Sequence, residues 1–204
     1  MKKTTREHIL GTALMLFLKK SFKAVTIKEI VCNTGVSKGA FYHYFESKDA
    51  LFEEVCKHFY LDVFTQDYEQ YSCDSLKAFY KDVLVGARQT FTSLKEICDG
   101  EHTKMGINHF QLIFEAVHIL PNFEKALKQQ EEEEIRCWQK VIKCAKQKGE
   151  IKASVQDKEV AKMFIYLGNG YGLHQILRDK GKLNIDSVEG LAPVYEQLYN
   201  LLKK

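Results

Sequence analysis

Side chains that can donate hydrogen bonds to an anion are concentrated in the first quarter of the chain. Residues 1–48 contain nine Lys and Arg against three acids, so this segment has a net charge of +6 while the remainder has −3. A compact basic segment joined to a mildly acidic body predicts that the front contacts a polyanion, and nucleic acid is the first candidate. Lys, Arg, Ser, Thr, Tyr and His side chains of this segment can donate hydrogen bonds to phosphate oxygens.

Three helices are predicted to position these donors. The apolar residues that begin at Ile9 follow the spacing of one helical face. Thr26 and Glu29 have the spacing of a capping box, which starts a second helix. Gly35 permits a tight turn, and Ser37 can cap a third helix. Helices are therefore predicted over residues 4–20, 27–33 and 37–45.

Two short helices joined by a glycine turn, with a long helix following, match the geometry that places a recognition helix in the major groove of DNA. One face of the pair should form a small core that fixes the angle between the helices. The opposite face should present Lys38, Gly39, Ala40, Tyr42 and His43, with Tyr44 beside them. The expected core residues are Ile27, Ile30, Val31, Val36, Phe41 and Phe45.

Residues 6–52 resemble the TetR family of transcription regulators. The resemblance lies in Ile9-Leu10-x-x-Ala13-x-x-Leu16-Phe17, Val25-Thr26-x-x-Glu29-Ile30 and Gly35-Val36-Ser37-Lys38-Gly39-Ala40-Phe41-Tyr42-x-Tyr44-Phe45-x-Ser47-Lys48-x-x-Leu51. Three positions depart from the family pattern. Ser21 stands where glycine commonly ends the first helix, and Val31 and Thr34 stand where alanine is common. The turn, the helix caps, the aromatic cluster and the positive charge of this segment nevertheless all agree with DNA binding.

The resemblance implies an N-terminal helix-turn-helix that binds double-stranded DNA. By position, Lys38, Gly39 and Ala40 should approach base edges, because a Lys at the start of a recognition helix can reach guanine. The residues leave open whether Lys38 or Tyr42 reads bases, and for Tyr42 a place in the core is the alternative. The implied phosphate contacts are Thr26, Ser37, Tyr42, His43, Tyr44 and Lys48, with Lys28 on the same surface.

The remainder of the chain is predicted to be helical, and no alternation typical of strands is present. The fold class is therefore all-α. The resemblance implies two domains: a three-helix DNA-binding domain over residues 1–48, followed by a larger helical ligand-binding and dimerisation domain over 49–204. Ser47 and Asp49 open a long fourth helix. Gly and Pro residues separate the later ones. The helices are predicted at about 49–68, 74–98, 102–119, 122–148, 156–179 and 187–203.

The resemblance also implies a homodimer formed by the last two helices. Gly168, Gly170 and Gly172 lie within one helix, where each glycine costs about 1 kcal/mol relative to alanine. Close approach of a partner helix would compensate for that cost; a kinked helix in a monomer is the alternative. The expected interface residues are Ala161, Phe164, Ile165, Gly168, Gly172, Ile176, Leu191, Val194, Leu198 and Leu201.

A small-molecule effector should bind in the larger domain, where big apolar side chains are mixed with polar tips. No Cys or His spacing resembles a metal site, and no cofactor motif is present, so we expect an uncharged or amphipathic molecule. Core packing is the alternative for most of these side chains. The candidate lining consists of Phe91, His109, Phe110, Phe114, His118, Trp138, Tyr166, Asn169 and His174.

The resemblance implies a repressor that leaves a palindromic operator when an effector binds. Activation, ligand-independent regulation and a helical protein-interaction module are the alternatives. An enzyme is not expected, because the sequence lacks a nucleophile elbow, a phosphate-binding glycine loop and an HExxH motif. The apolar run near the amino terminus ends in Lys19-Lys20 without a cleavage site, which favours a cytoplasmic protein with no membrane segment. The six cysteines are expected to be reduced core thiols.

Overall fold

The computed structural model describes residues 4–59, 66–97, 105–152, 154, 156–178 and 186–204. Within these ranges the chain is built from α-helices, and the β-structure is confined to one isolated bridge between Ile151 and Lys203. The prediction of an all-α fold is confirmed. None of the helices in the described ranges is long and apolar enough to cross a membrane. The helices are α1 (Thr5–Lys20), α2 (Ile27–Thr34), α3 (Lys38–Tyr44), α4 (Lys48–Cys56), α5 (Leu76–Ile97), α6 (Met105–Ile119), α7 (Phe123–Gln147), α8 (Asp157–Arg178) and α9 (Asp186–Leu202).

Side-chain caps define where the first helices begin. The Thr26 hydroxyl accepts a hydrogen bond from the Glu29 amide and starts α2 as predicted, but the Glu29 carboxylate binds Lys20 Nζ at 2.5 Å. The reciprocal half of the predicted capping box is thus replaced by an ion pair. A complete capping box forms instead at α1, between Thr4 and Glu7. The spacing Thr-x-x-Glu in the sequence could have revealed this cap.

Helices α1–α4 form the amino-terminal head, whose core continues into α6. Ile9, Phe17, Ile30, Phe41 and Phe52 are buried in one apolar cluster. The same cluster includes buried residues from α6 and from the segment that leads into α7. Because both parts of the chain share this cluster, a movement of α6 must repack the head or carry it along. The buried residues of this cluster that follow α4 are Phe59, Leu112, Ala116, Leu120 and Phe123.

A second apolar cluster joins α5, α7, α8 and α9 into the body of the protein. Its centre is aromatic: the Trp138 ring stacks on Phe164 with centroids 4.9 Å apart and meets Phe79 edge to face at 4.9 Å. Tyr195 packs edge-on against Phe164 and donates its hydroxyl proton to the Phe164 carbonyl at 3.0 Å. Aromatic contacts of this kind add to the free energy gained from burial, so this cluster anchors α8 and α9 to the body.

The fourth helix is shorter than predicted. The α-helix ends at Cys56, residues 57–59 form a wider π turn, and residues 66 and 67 are not helical. Tyr68, the predicted end, lies in a separate short 3-10 helix. Apolar residues four apart drift by about 40° per step around an α-helix, and a wider turn returns Phe59 to the buried side. Residues 60–65 of the predicted helix lie outside the described residues.

Two departures from the family pattern differ in their structural effect. Thr34 is buried, but its hydroxyl donates to the Ile30 carbonyl at 2.9 Å, so the polar atom is satisfied. Ser21 has φ 69° and ψ 157°, a backbone region that is essentially confined to glycine. The chain therefore keeps a strained serine at the end of α1.

The cysteines are less uniform than predicted. Cys56 is buried, whereas Cys32 and Cys73 are exposed and Cys137 and Cys144 are half-buried; these five are free thiols. The prediction that all the cysteines are core thiols was wrong for Cys32 and Cys73, because both side chains are exposed to solvent. Cys98 lies outside the described residues.

Replacing Ser21 with glycine should stabilise the protein. We expect Ser21→Gly to raise the free energy of unfolding by about 1 kcal/mol, because the relieved strain exceeds the entropy that glycine adds to the unfolded chain. Urea unfolding followed by circular dichroism measures the change. Gly35→Ala is the opposite control: Gly35 has φ 68° as the C-cap of α2, so alanine should lower stability. Unchanged or reduced stability of Ser21→Gly would contradict the assignment of strain.

Candidate DNA-binding surface

The turn between α2 and α3 sets the orientation of the candidate recognition helix. Gly35 adopts the left-handed conformation and its N–H donates to the Val31 carbonyl at 3.1 Å. The Ser37 hydroxyl then accepts from the Ala40 amide at 3.1 Å and starts α3. Phe41 and Phe45 are buried beneath the helix, as the spacing predicted. These contacts hold α3 with its opposite face toward solvent.

The exposed face of α3 carries the donors that the sequence singled out. Lys38, Gly39, Tyr42, His43 and Tyr44 are exposed. The Tyr42 side chain is 45% exposed, so it lies outside the core, although its ring meets the Phe41 ring edge-on at 5.4 Å. Lys38 Nζ lies 6.0 Å from the Tyr42 ring centroid, so cation and phenol form one patch. Thr26, Lys28 and Ser37 are exposed nearby in the chain, and Ala40 is half-buried.

Gly39 has no packing reason to be glycine within the protein. A Cβ built at this position would have Ser37 Oγ, at 3.9 Å, as its nearest neighbour, which is an ordinary contact distance. A glycine in a helix costs about 1 kcal/mol relative to alanine. The bare backbone on the exposed side of α3 therefore suits close approach by a molecule from outside.

Lys48 holds the loop between α1 and α2. Its ammonium group donates to the carbonyl oxygens of Phe22 at 2.9 Å and Val25 at 2.8 Å. The same nitrogen lies 4.3 Å from the Phe22 ring centroid. These contacts use two of the three ammonium protons, so one remains for a phosphate oxygen. Spacing alone did not reveal this structural role.

Comparison with known proteins supports the same surface. Residues 9–55 match the family model described as bacterial regulatory proteins, tetR family. The match covers most of helices α1–α4, so over this segment the head is similar to the TetR family. Over 54 residues it is 48% identical to the HTH-type transcriptional regulator YerO of Bacillus subtilis, in an alignment that covers 26% of this chain and 19% of YerO. The alignments span only about a fifth of the length of YerO and of the HTH-type transcriptional repressor NemR of Escherichia coli.

Two longer matches extend the likeness into the body. The HTH-type transcriptional repressor KstR2 of Rhodococcus jostii is 24% identical over 168 residues, which cover 80% of this chain and 76% of KstR2. The crystal structure of reduced Escherichia coli NemR superposes with a TM-score of 0.60 at 20% identity, covering 91% of this chain and 92% of that one. The NemR likeness is one of fold, so the body must be interpreted from its own residues.

The predicted ligand residues do not converge on one pocket. Phe110, Phe114 and His118 line a groove of about 890 Å³ between α6 and α8. Trp138 lies in the aromatic centre of the body and belongs to its core. Burial lowers the pKa of His109 to about 4, so its imidazole is neutral at pH 7. The three residues on α8, Tyr166, Asn169 and His174, are exposed, and the Phe91 side chain lies outside the described part of the structure.

Sequence reasoning missed much of the groove. Lys23 from the α1–α2 loop, Ile113 from α6, and Leu173 and Leu177 from α8 also line it. The leucines of α8 were the available signal for an apolar groove. A sequence alone shows neither which apolar residues are exposed nor which of them share a concave surface. The groove therefore joins residues from the head and the body.

Several predicted dimer residues are instead core residues of the single chain. Ala161, Phe164, Ile165, Ile176 and Leu191 are buried within the protomer and leave little surface for a partner. Gly168 is required by close packing inside the chain, because a Cβ there would lie 2.5 Å from Tyr195 Oη. The helical periodicity identified an apolar face of α8 that packs against the body. Val194 and Leu198 are half-buried, Gly172 is half-buried with open space around it, and Leu201 is exposed.

Removal of the Lys48 ammonium should loosen the head. We expect Lys48→Met to lower the free energy of unfolding by about 1–3 kcal/mol, because two loop carbonyls lose a charged donor. Lys28→Met is the matched control, since Lys28 is exposed on α2, and its effect should stay within about 0.5 kcal/mol. Chemical unfolding of both variants measures the difference. Equal stability of the two would show that the bonds from Lys48 contribute nothing net.

Proposed function

We propose that this protein is a sequence-specific DNA-binding repressor. The observation that carries the proposal is the exposed patch of Lys38, Gly39 and Tyr42 above buried Phe41 and Phe45, inside the segment that matches the TetR-family model. NemR and KstR2, which the chain resembles, are named transcriptional repressors. The basic charge of residues 1–48 would attract the DNA backbone, and the patch on α3 would enter the major groove.

The exposed hydrogen-bond donors fall into two groups, those that can reach base edges and those that would hold phosphates. Lys38 stands at the start of α3 and can extend to the O6 and N7 acceptors of guanine, while Gly39 admits a base edge close to the backbone. Tyr42, His43 and Tyr44 would hold phosphates along the helix. Thr26, Lys28 and Ser37 would hold phosphates on the α2 side, and Lys48 would add its third proton there. We assign residues 1–48 to the DNA-binding domain and residues 49–204 to the ligand-binding and dimerisation domain.

A homodimer would present two such surfaces to a palindromic operator. Met163, Tyr166, Gly170, Leu173 and Leu177 recur at spacings of three and four along α8, and all are exposed. Such spacing is typical of the apolar seam between two packed helices. Gly170 lies at its centre, and a Cβ added there would have no atom within 4 Å, so nothing inside the chain requires glycine at this position. Close approach by the same helix of a second copy accounts for both features, and exposed Leu201 of α9 would extend the seam.

Ligand release of the operator would act through α6. The Asn108 side chain donates to the Leu18 carbonyl at 2.6 Å, and the Glu115 carboxylate accepts from the Phe22 amide at 2.9 Å. These bonds connect α6 to the end of α1 and to the loop that precedes α2. An effector that displaces α6 would therefore change the distance between the two recognition helices of a dimer. DNA contact at two half-sites about one helical turn apart does not tolerate such a change.

Selection of duplexes from a random DNA pool tests the repressor proposal. At near-physiological salt we expect the purified protein to enrich one palindrome, and the double variant Lys38→Ala, Tyr42→Ala to lose that enrichment. Lys143→Ala, which removes an exposed ammonium from α7, is the matched control and should select the same palindrome. No enrichment by the native chain, or equal selection by the double variant, would favour a protein-interaction module over a DNA reader.

The oligomeric state tests the seam on α8. Met163→Glu combined with Gly170→Glu should convert a dimer to a monomer in sedimentation velocity, because carboxylates would face their own copies across the seam. Val85→Glu places the same charge on an exposed apolar position of α5 and should leave the dimer intact. A dimer that survives the α8 changes would have to form through another surface.

A further inference from the structure

The start of α1 contacts both ends of the unit formed by α2, the turn and α3. The Arg6 guanidinium lies over the Phe45 ring, with 5.5 Å between Cζ and the ring centroid, and Phe45 is the C-cap of α3. The His8 imidazole reaches the carbonyl of Thr34, the last residue of α2. Two side chains of one helix thus hold opposite ends of the segment that carries the candidate recognition helix.

The bond from His8 is made to the carboxyl-terminal end of α2. The last carbonyl groups of a helix have no amide partner within that helix. His8 Nε2 lies 3.2 Å from the Thr34 carbonyl oxygen, and because a carbonyl only accepts, this nitrogen is the donor. Gly35 follows this carbonyl directly and leaves the helix with φ 68°. The bond therefore ties α1 to the peptide group from which the turn toward α3 begins.

An ion pair fixes Arg6 above the Phe45 ring. The guanidinium pairs with the Glu54 carboxylate of α4, so the same planar cation contacts an acid and an aromatic ring. The two charged side chains are 47% and 39% exposed, and ion pairs of this kind add little to the free energy of folding. Loss of the pair should therefore move the end of α3 relative to α1 and α4 without unfolding the head.

A reciprocal cap keeps the first turn of α1 helical. The Thr4 hydroxyl accepts from the Glu7 amide at 3.3 Å, and the Glu7 carboxylate accepts from the Thr4 amide at 2.8 Å. This cap opposes fraying of the turn that contains Arg6 and His8. Both residues precede residue 9, where the match to the family model begins, so their contacts belong to this chain and not to the matched segment.

We propose that Arg6 and His8 are positioning residues for operator recognition. They would set the tilt of α3, on which the access of Lys38 and Tyr42 to base edges depends, without contacting DNA themselves. Hydrogen bonds to bases require a defined distance and angle, whereas attraction to phosphates tolerates a small tilt. Discrimination between DNA sequences should therefore depend on these two residues more than total DNA affinity does. The inference rests on the proposed function, because it concerns the surface that would read DNA.

Neutralising Glu54 separates positioning from direct phosphate contact by Arg6. Glu54→Gln makes the head more positive, so electrostatics alone would tighten binding to any DNA. Positioning predicts that the variant binds the selected palindrome about three- to tenfold more weakly, while affinity for a scrambled duplex stays unchanged or rises. Fluorescence anisotropy with both duplexes measures the two affinities. Glu53→Gln is the matched control, because Glu53 is an exposed acid of the same helix that pairs with Lys57, and it should not weaken palindrome binding.

His8 is tested in the same assay by removal and by rescue. His8→Ala should weaken palindrome binding about three- to tenfold and leave the scrambled duplex unchanged. His8→Gln should bind close to the native affinity, because its amide nitrogen can donate to the Thr34 carbonyl. In these variants and in Arg6→Met, the slope of affinity against salt concentration should stay native, because a positioning residue neutralises no phosphate. Circular dichroism at the assay temperature establishes that each variant is folded, so a loss of stability alone would leave the ratio of the two affinities unchanged.

The results that would overturn the positioning roles leave DNA recognition standing. Palindrome binding by Glu54→Gln at native strength or tighter, or equal losses on both duplexes, would refute the role of Arg6. A shallower salt slope in Arg6→Met would identify Arg6 as a phosphate contact instead. Equal weakening by His8→Ala and His8→Gln would refute the role of the hydrogen bond to Thr34. Failure of the native chain to select any palindrome is a different result, which would overturn the DNA-binding proposal and this inference with it.

Discussion

The placement of the recognition helix depends on how the loop between α1 and α2 satisfies its backbone. The loop turns sharply at Ser21 and buries Phe22 and Val25, so their polar backbone groups lose contact with water. Lys48 of α4 supplies donors to two carbonyls, and Glu115 of α6 supplies an acceptor to one amide. Two long-range side chains therefore fix the point from which α2 and α3 project. Loss of either would leave a buried polar group unpaired.

In this arrangement the head and the body share one packed core. The apolar cluster that supports α3 through Phe41 also contains Leu112 and Ala116 of α6. Densely packed cores resist gradual deformation and shift between discrete arrangements. The hydrogen bonds at Leu18 and Phe22 lie on the surface of that shared core, so they move with it. Both packing and hydrogen bonds thus connect the position of α6 to that of the head.

Helix α8 has apolar side chains on two opposite sides. One side, with Phe164 at its centre, is stacked into the aromatic cluster of the body. The opposite side carries Met163, Leu173 and Leu177 in the open. A helix that is apolar on both sides has almost no net amphipathicity, so periodicity does not separate the side that packs internally from the side that is free for a partner. Two glycines distinguish the two sides of the helix: Gly168 faces Tyr195 inside the chain, whereas Gly170 faces open space.

The sequence alone determined the features that depend on neighbours within a few residues. Caps at Thr26 and Ser37, the turn at Gly35, the burial of Phe41 and Phe45 and the exposure of Lys38 and His43 follow from local hydrogen bonding and helical phase. The all-α class also follows, because helix periodicity is a local property. The π turn after Cys56 did not follow, because it depends on what Phe59 packs against.

Only the tertiary structure decided which distant side chains meet. The bond from Lys48 to Phe22, the ion pair that draws Glu29 away from its cap, and the burial of Ala161 and Ile165 inside the protomer all depend on packing between remote segments. So does the groove that brings Lys23 beside α6 and α8. Helical phase reports that a residue faces inward or outward relative to its own helix, but the identity of the neighbour is set by how the helices cross. Chemistry carried on one short helix could therefore be predicted from sequence, whereas chemistry assembled between helices required the fold.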